Sequence, residues 1–189
     1  MIRVIKLLRK IYHYIKMCIY VNEKIILFQH QKHTNQKSSA TIVEANKDNV
    51  KDILAFQDKR YLKVFNHFLE IGDRGYFAYL NGKCVHRSWV KHKPQHVSLH
   101  PLLSIPLNYN EVFIHYCETA PDARGNNIYP HVLSRIASDF KDRSRILISV
   151  NEKNIPSIKG VKKAGFIEIE RYRIIVIFGI KYIRVEKLY

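Results

Sequence analysis

One stretch of the sequence decides the fold: Arg124-Gly125-Asn126-Asn127-Ile128-Tyr129. It follows an apolar run at residues 112–119 and opens a segment of helical periodicity at residues 129–140. A strand therefore leads through a tight loop directly into the N-terminus of a helix. Free backbone N–H groups and the helix dipole both favour an anion at such a position. The stretch predicts a site that binds the phosphate groups of a ligand.

A second block of residues lies downstream. Asn154 stands just before a short helical segment at residues 156–164, where its side chain can cap the first backbone N–H groups. Gly165 and Phe166 follow the end of that segment, and glycine commonly ends helices. This second block strengthens the interpretation of the first.

At these residues the chain resembles the GNAT family of acyl-CoA-dependent N-acetyltransferases. The family loop has Gln or Arg, two residues, Gly, one residue, then Gly or Ala, and here Asn127 and Tyr129 stand at the two small positions. Asn tolerates a left-handed backbone better than most residues, so Asn127 can still make the turn. The resemblance is clear over residues 111–172 and weaker over residues 41–90.

The resemblance implies an α/β fold of the mixed α+β kind, in which helices flank a central mixed, mostly antiparallel sheet. The order of elements predicted from sequence patterns agrees with this GNAT-like fold. Strands are predicted at residues 41–45, 75–80, 83–90, 112–119, 146–150, 166–171 and 174–186, and helices at residues 48–58, 60–71, 129–140 and 156–164. Asn81-Gly82 predicts a type I′ turn, and the prolines within residues 91–110 predict a long loop.

Residues 1–40 are predicted to be a basic amphipathic extension and linker, with a short strand at 24–29, and residues 41–189 the acyltransferase domain. Residues 1–20 carry five basic residues and no acidic one, with apolar residues at three- and four-residue steps. This pattern predicts an amphipathic helix, and its charges exclude a transmembrane span. Two interpretations stay open: the helix lies on an anionic membrane surface, or it docks on its own domain or a partner.

The resemblance also implies a set of residues that bind acetyl-CoA as co-substrate. Backbone N–H groups of the loop would hold the pyrophosphate, and this group comprises Arg124, Gly125, Asn126, Asn127, Ile128 and Tyr129. The strand end at Cys117 and Thr119 would pair with the pantetheine arm and offer an N–H to the developing oxyanion. Asn154 would hydrogen-bond the pantetheine or CoA. Many members carry a tyrosine, where this chain has Val161, that protonates the departing thiolate; here that acid is absent, comes from elsewhere or is water.

Two strand residues are candidates for the general base. His115 lies four residues before Thr119, on the same strand face by simple alternation, and a histidine can accept a proton at neutral pH. The alternative is a hydrogen-bonded strand histidine with no chemical role. Glu118 is the second candidate, and alternation places it on the opposite face.

Arg87 and Trp89 are the candidate acceptor contacts. An arginine suits a phosphate or carboxylate, and a tryptophan can stack on a sugar or a base. The alternative is a surface arginine and a core tryptophan. His92, His96 and His100 recur every four residues, but Pro94 breaks the helix that would gather them, so no metal site is predicted.

Composition limits the partners. The net charge of +16 suits an anionic partner, although the codon bias of an AT-rich genome explains the same composition. Three widely spaced cysteines favour a reducing compartment, so the chain is predicted to be cytoplasmic, with the inner membrane face as a peripheral alternative.

The predicted function is transfer of an acetyl group from acetyl-CoA to the primary amine of a small acceptor, an amino-sugar nucleotide or other glycan precursor, by direct attack. The alternatives are a GNAT-shaped acyl-CoA-binding module without catalysis and a basic nucleic-acid-binding domain, for which no reader motif is present.

Overall fold

The computed structural model describes residues 19–188, which form ten strands and three α-helices. Residues 1–18, which hold most of the predicted amphipathic helix, lie outside the described part of the chain. The strands are β1 (Tyr20–His30), β2 (Thr41–Glu44), β3 (Arg74–Leu80), β4 (Lys83–Lys91), β5 (Gln95–His100), β6 (Leu103–Leu107), β7 (Glu111–Thr119), β8 (Arg145–Asn151), β9 (Phe166–Ile177) and β10 (Ile180–Lys187). The helices are α1 (Arg60–Ile71), α2 (Ile128–Asp139) and α3 (Ile155–Lys163), with short 3-10 helices at Val50–Ala55 and Pro121–Ala123.

Eight strands form one sheet in the order β10-β9-β1-β8-β7-β4-β3-β2, and β5 and β6 form a separate hairpin. Neighbouring strands are antiparallel except for β7 and β8, which are parallel. The predicted mixed, mostly antiparallel sheet with flanking helices is confirmed. The parallel pairing covers only residues 111–114 and 145–148, although both strands continue beyond it. The two strand ends therefore leave a gap in the sheet.

Strand β1 lies in the middle of the sheet, within the segment predicted as extension and linker. It pairs with β8 on one side and with β9 on the other. Leu27 and Phe28 are fully buried on opposite faces, because both faces of the sheet are covered at this point. The sheet therefore includes residues 20–30 of the segment that was predicted to be extension and linker.

The two faces of the sheet have different covers. Helices α2 and α3 cover one face, where Leu133 and Ile136 pack on strand residues such as Ile114. Helix α1 covers one part of the other face, through Phe65 and Phe68, and the β5–β6 hairpin covers the remainder. We call these the α2/α3 face and the α1 face. Within residues 19–188 no helix combines the length and the apolar character that crossing a membrane requires.

Three local predictions were wrong. Residues 91–110 hold the β5–β6 hairpin, because buried Val97, Leu99 and Leu107 alternate along it and its prolines do not interrupt a central sheet. Within residues 48–58 the helix is shorter than predicted, because only Val50–Ala55 are helical and they form a 3-10 helix. The last hairpin turns at Phe178 and Gly179, both with positive φ, so β9 is longer than predicted. The Asn81-Gly82 turn is confirmed, with φ of 51° and 75°.

Gly165 joins α3 to β9 and holds the end of β1, because its carbonyl oxygen accepts hydrogen bonds from the N–H groups of Gln31 and Lys32. Its φ is +87°, and an added Cβ would lie 1.8 Å from the Lys32 carbonyl oxygen. We expect Gly165→Ala to lower the free energy of unfolding by about 2–4 kcal/mol, from backbone strain plus the clash. Gly82→Ala is the control, since its φ is +75° but no atom lies within 4 Å. Urea denaturation of both variants measures the difference, and equal losses would show that the clash is relieved at little cost.

Candidate functional site

The loop before α2 leaves a row of backbone N–H groups without partners. Gly125 and Asn127 adopt left-handed backbone conformations, with φ of 87° and 57°, and no side chain caps the helix. The Asn127 side-chain amide donates to the carbonyl oxygen of Lys37 at 2.7 Å, which fixes the turn. No group within residues 19–188 accepts a hydrogen bond from the N–H groups of Gly125, Asn126, Asn127, Ile128 and Tyr129. The loop therefore presents free backbone donors at a helix N-terminus, a geometry that favours an anion.

A cleft of about 710 Å³ runs from this loop along the end of β7 and the first turns of α3. Three cationic side chains line it: Arg124, Lys159 and Lys163. The two lysines were not predicted, although their four-residue spacing after the Asn154 cap marks one helix face. The cleft is therefore positively charged around a loop of free N–H donors, which suits a polyphosphate.

Asn154 caps α3, as predicted. Its Oδ1 accepts a hydrogen bond from the N–H of Ser157 at 3.2 Å. The residue lines both the cleft and a smaller cavity beside it. Because Oδ1 is engaged, the side-chain NH₂ group is the part of Asn154 that can donate to a ligand.

That smaller cavity, of about 250 Å³, fills the gap between the ends of β7 and β8. Ile114, Ile148 and Val150 form its apolar wall, and His115 and Tyr116 also line it. Four residues line both cavities, namely Cys117, Tyr129, Asn154 and Ser157. The cleft and the gap are therefore adjacent compartments, and the gap passes between the two faces of the sheet.

A β-bulge at Tyr116 decides which β7 side chains face which compartment. Arg87 pairs with Glu118 and Trp89 pairs with His115, so two β7 residues, Tyr116 and Cys117, lie opposite the single residue Ser88. Tyr116 has a φ of +50°, and the extra residue reverses the alternation beyond it. The prediction that His115 and Thr119 share a face is therefore wrong.

The contacts confirm this reversal. His115 packs against Phe68 of α1, on the α1 face, with ring centroids 5.1 Å apart. Glu118 is on the same face, because it pairs with Arg87 beneath the α1 rings. Cys117, Glu118 and Thr119 all line the cleft, but the Thr119 side chain is on the α2/α3 face, where its Oγ1 lies 2.7 Å from Nδ1 of His86. The two candidate bases thus share one face, and the two candidate cofactor contacts share the other.

Arg87 holds the bulge in place. Its side chain is 4% exposed, and its guanidinium donates to Glu118 Oε2 at 2.7 Å, to Gln57 Oε1 at 3.0 Å and to the carbonyl oxygen of Tyr116. The rings of Tyr61, Phe65 and Tyr116 lie within 5.7 Å of it. With every side enclosed, Arg87 has no free donor aimed at open solvent.

Trp89 also lies away from the predicted acceptor surface. It is fully buried in the aromatic cluster of the α1 face, with Phe65 and Phe68 at 5.3 Å and Phe77 at 6.2 Å. A side chain without exposed surface cannot stack on an incoming sugar or base. Trp89 thus belongs to the core, and Arg87 binds Tyr116 and Glu118 of the bulge. The structure supports neither residue as an acceptor contact.

His115 lines the gap with an acidic neighbour that the sequence did not reveal. Its Nε2 lies 3.5 Å from Oδ2 of buried Asp73, at the outer limit of a hydrogen bond, and Lys91 Nζ lies 3.2 Å from the same oxygen. Burial lowers the pKa of His115 below 6.5, and Asp73 only partly offsets this. At neutral pH the imidazole is uncharged and able to accept a proton.

His86 faces the cleft from β4, opposite to Arg87. It is fully buried, with Nδ1 2.7 Å from Thr119 Oγ1 and Nε2 2.8 Å from Ser88 Oγ. Burial lowers the pKa of His86 to about 3, and the nearby Arg87 charge adds to the effect. Burial raises the pKa of the neighbouring Cys117 thiol to about 11, so a thiolate nucleophile is not available at neutral pH.

Comparison with known proteins finds similarity in structure alone. No protein-family model matches the sequence, and no curated protein matches it. A GNAT-family acetyltransferase from Colwellia psychrerythraea superposes with a TM-score of 0.62 at 16% identity, over 86% of this chain and 60% of that one. The glucosamine N-acetyltransferase region of a fungal multi-domain β-N-acetylglucosaminidase superposes with a TM-score of 0.58 at 15% identity, over 87% of this chain and 22% of that one. An aminoglycoside 6′-N-acetyltransferase from Acinetobacter baumannii gives 0.51 at 13% identity, over 68% and 91%.

The chain has the GNAT fold. It spans 60% of the length of the Colwellia protein and 66% of the length of a Staphylococcus epidermidis protein of unknown function that it also resembles. At 10–16% identity these likenesses establish the architecture and leave the chemistry to the site itself.

The depressed pKa of His86 predicts acid sensitivity. An unfolded histidine titrates near 6.5, whereas folded His86 titrates near 3, so the unfolded state binds the extra proton. The free energy of unfolding therefore falls as the pH drops from about 6.5 toward 3, by about 2 kcal/mol between pH 8 and pH 5 from this group. Urea denaturation measures the free energy of unfolding at pH 8 and at pH 5. The loss between these two pH values should be smaller in His86→Gln than in the wild type by about that amount. Exposed His67→Gln is the control, and an unchanged difference in His86→Gln would contradict the prediction.

Proposed function

We propose that the chain is an acyl-CoA-dependent N-acyltransferase that moves an acetyl group from acetyl-CoA to a primary amine by direct attack. One observation carries this proposal: a cationic cleft with a cradle of free N–H groups adjoins a gap in the sheet that is lined by a neutral, basic histidine. The cleft supplies an anchor for phosphates, and the gap supplies a place where a thioester and an amine can meet.

The cleft residues fit acetyl-CoA in the order that the resemblance implies. The N–H groups of residues 125–129 would bind the pyrophosphate, and Arg124, Lys159 and Lys163 would add charge around it. The end of β7 at Cys117 and Thr119 would lie along the pantetheine arm. The Asn154 side-chain amide would donate to a carbonyl of that arm.

His115 would take the proton that the amine loses when it attacks the thioester. The imidazole lines the gap and is uncharged at neutral pH, which are the two requirements for a general base. A backbone N–H from residues 117–119 would stabilise the oxyanion. Glu118 is bound to Arg87 and is a weaker base candidate, but its carboxylate, 40% exposed, would attract an ammonium group to this face.

The acceptor that we propose first is an amino sugar, free or attached to a nucleotide. The support is that two superposing enzymes are a glucosamine and an aminoglycoside N-acetyltransferase. Arg87 and Trp89 do not contribute to this choice, because both are buried. Cys84 and Cys117 are free thiols, which accords with the cytoplasmic location that we propose.

Calorimetry with acetyl-CoA tests the phosphate cradle. Asn127→Pro removes one N–H and cannot adopt the observed φ of +57°, so we expect affinity to fall by roughly 10- to 150-fold. Asn127→Gly keeps both the N–H and the left-handed backbone, and it should bind within about threefold of the wild type. Thermal unfolding checks that each variant is folded. Absence of acetyl-CoA binding by the wild type would overturn the acyltransferase proposal, and equal loss in both variants would assign the effect to the Asn127 side chain.

Turnover tests His115. The wild type is assayed by thiol release from acetyl-CoA with a set of primary amines that begins with glucosamine. We expect His115→Gln to lower kcat by about 10²- to 10⁴-fold and to remove the acidic limb of the pH profile, which in the wild type rises through a pKa below 6.5. His67→Gln, on the exposed side of α1, is the matched control. A pH profile that keeps its acidic limb in His115→Gln would exclude His115 as the base, and acetyl-CoA binding without turnover of any amine would favour a binding module.

A further inference from the structure

We propose that the Tyr129 hydroxyl donates the proton that the departing CoA thiolate needs, which assigns a catalytic role to the side chain of a residue expected to bind the cofactor through its backbone N–H. This inference rests on the acyltransferase function proposed above. Val161 stands where many family members carry a tyrosine acid, but it is fully buried and has no acidic proton to donate. The proposal supplies another source for that proton.

The position of Tyr129 is the first argument. Its side chain is one of the four that line both the cleft and the gap. The cleft holds the phosphate cradle and the gap holds His115, so the bond that breaks must lie between them. The Tyr129 ring lies at this junction, beside Gly160 and 5.8 Å from the His86 ring, two residues that line the cleft.

Gly160 is the second argument, because it makes room for the ring. A Cβ at residue 160 would lie 2.7 Å from Cδ1 and 3.2 Å from Cε1 of Tyr129. Gly160 immediately precedes Val161 on α3. An aromatic ring therefore lies against this part of α3, although it comes from the loop before α2 and not from α3 itself.

The surroundings of the hydroxyl are the third argument. The His86 ring lies 5.8 Å from the Tyr129 ring, and Cys117 lines both compartments together with Tyr129. Burial raises the pKa of Tyr129 well above its usual range, so the phenol keeps its proton at neutral pH. Tyr116 also lines the gap, but its ring packs on Phe65, Phe68 and His115 at the α1 face. Tyr129 is thus the phenol on the cofactor side.

The amine nitrogen forms a bond to the thioester carbonyl carbon and loses a proton to His115. The carbon–sulfur bond breaks, its electron pair stays on sulfur, and the Tyr129 O–H gives its hydrogen bond and then its proton to that sulfur. The phenolate regains a proton from solvent in the cleft, and His115 releases its proton to solvent. Because a phenol with a raised pKa is a weak acid, removal of the donor should slow the reaction by about 10- to 100-fold without abolishing it.

Leaving-group dependence separates this role from simple packing. We expect Tyr129→Phe to lower kcat with acetyl-CoA by about 10- to 100-fold and to leave acetyl-CoA affinity, measured by calorimetry, within about threefold. S-(4-nitrophenyl) thioacetate releases an acidic thiol that needs no proton, so its rate should fall by less than about threefold. Tyr76→Phe, which removes a buried phenol bound to Asp139 on another part of the sheet, controls for general loss of stability.

The outcomes are distinct. A full kcat in Tyr129→Phe, or an equal loss with both thioesters, would overturn the role of Tyr129 and leave the acyltransferase function intact. A wild type that does not bind acetyl-CoA would overturn both. If Tyr129→Phe does not fold, Gly160→Ala gives the same test, since it keeps the hydroxyl but displaces the ring, and it should reproduce the leaving-group-dependent loss of kcat.

Discussion

The enclosed charge of Arg87 is the interaction on which the site depends. Its guanidinium binds the carbonyl oxygen of Tyr116 and the carboxylate of Glu118, and so it holds one extra residue within β7. Side chains alternate along a strand, so one inserted residue exchanges the faces of everything that follows. Without the bulge, the Cys117 side chain would be on the α1 face and the Glu118 side chain on the α2/α3 face. A buried cation is tolerated only with complete pairing, which Gln57 and three aromatic rings help to provide.

The same arrangement separates two tasks across the sheet. Donors for an anion gather on the α2/α3 face, at the loop before α2 and along α3, whereas His115 and Glu118 lie on the α1 face. The early separation of β7 and β8 connects them through the gap. Burial keeps one histidine neutral on each face of the sheet. His86 hydrogen-bonds to the hydroxyl groups of Thr119 and Ser88, whereas Nε2 of His115 has only a long contact with Asp73.

Elements with a local signal could be predicted from the sequence. The loop at residues 124–129, the Asn81-Gly82 turn and the Asn154 cap each follow from the preferences of one or two residues. The bulge could not be predicted, because Tyr116 is an ordinary strand residue whose positive φ is imposed by Arg87 from the next strand. The same is true of Asp73 beside His115, and of β1, whose pairing depends on strands more than 100 residues away. The prediction of which β7 side chains share a face was wrong for this reason, because it assumed uninterrupted alternation along the strand.

The central place of β1 has a consequence for how the chain is made. Ile25 pairs with Asn151, and Tyr20 pairs with Ile177, so β1 leaves the ribosome well before its partners β8 and β9. At about 5–20 residues per second, the wait is roughly 6–25 s. During this time the apolar run at residues 25–28 has neither neighbour, and such a run is prone to pair with other chains. The nascent polypeptide thus has a natural client site for a chaperone at β1, and the sheet around β1 can close only after β9 has been synthesised.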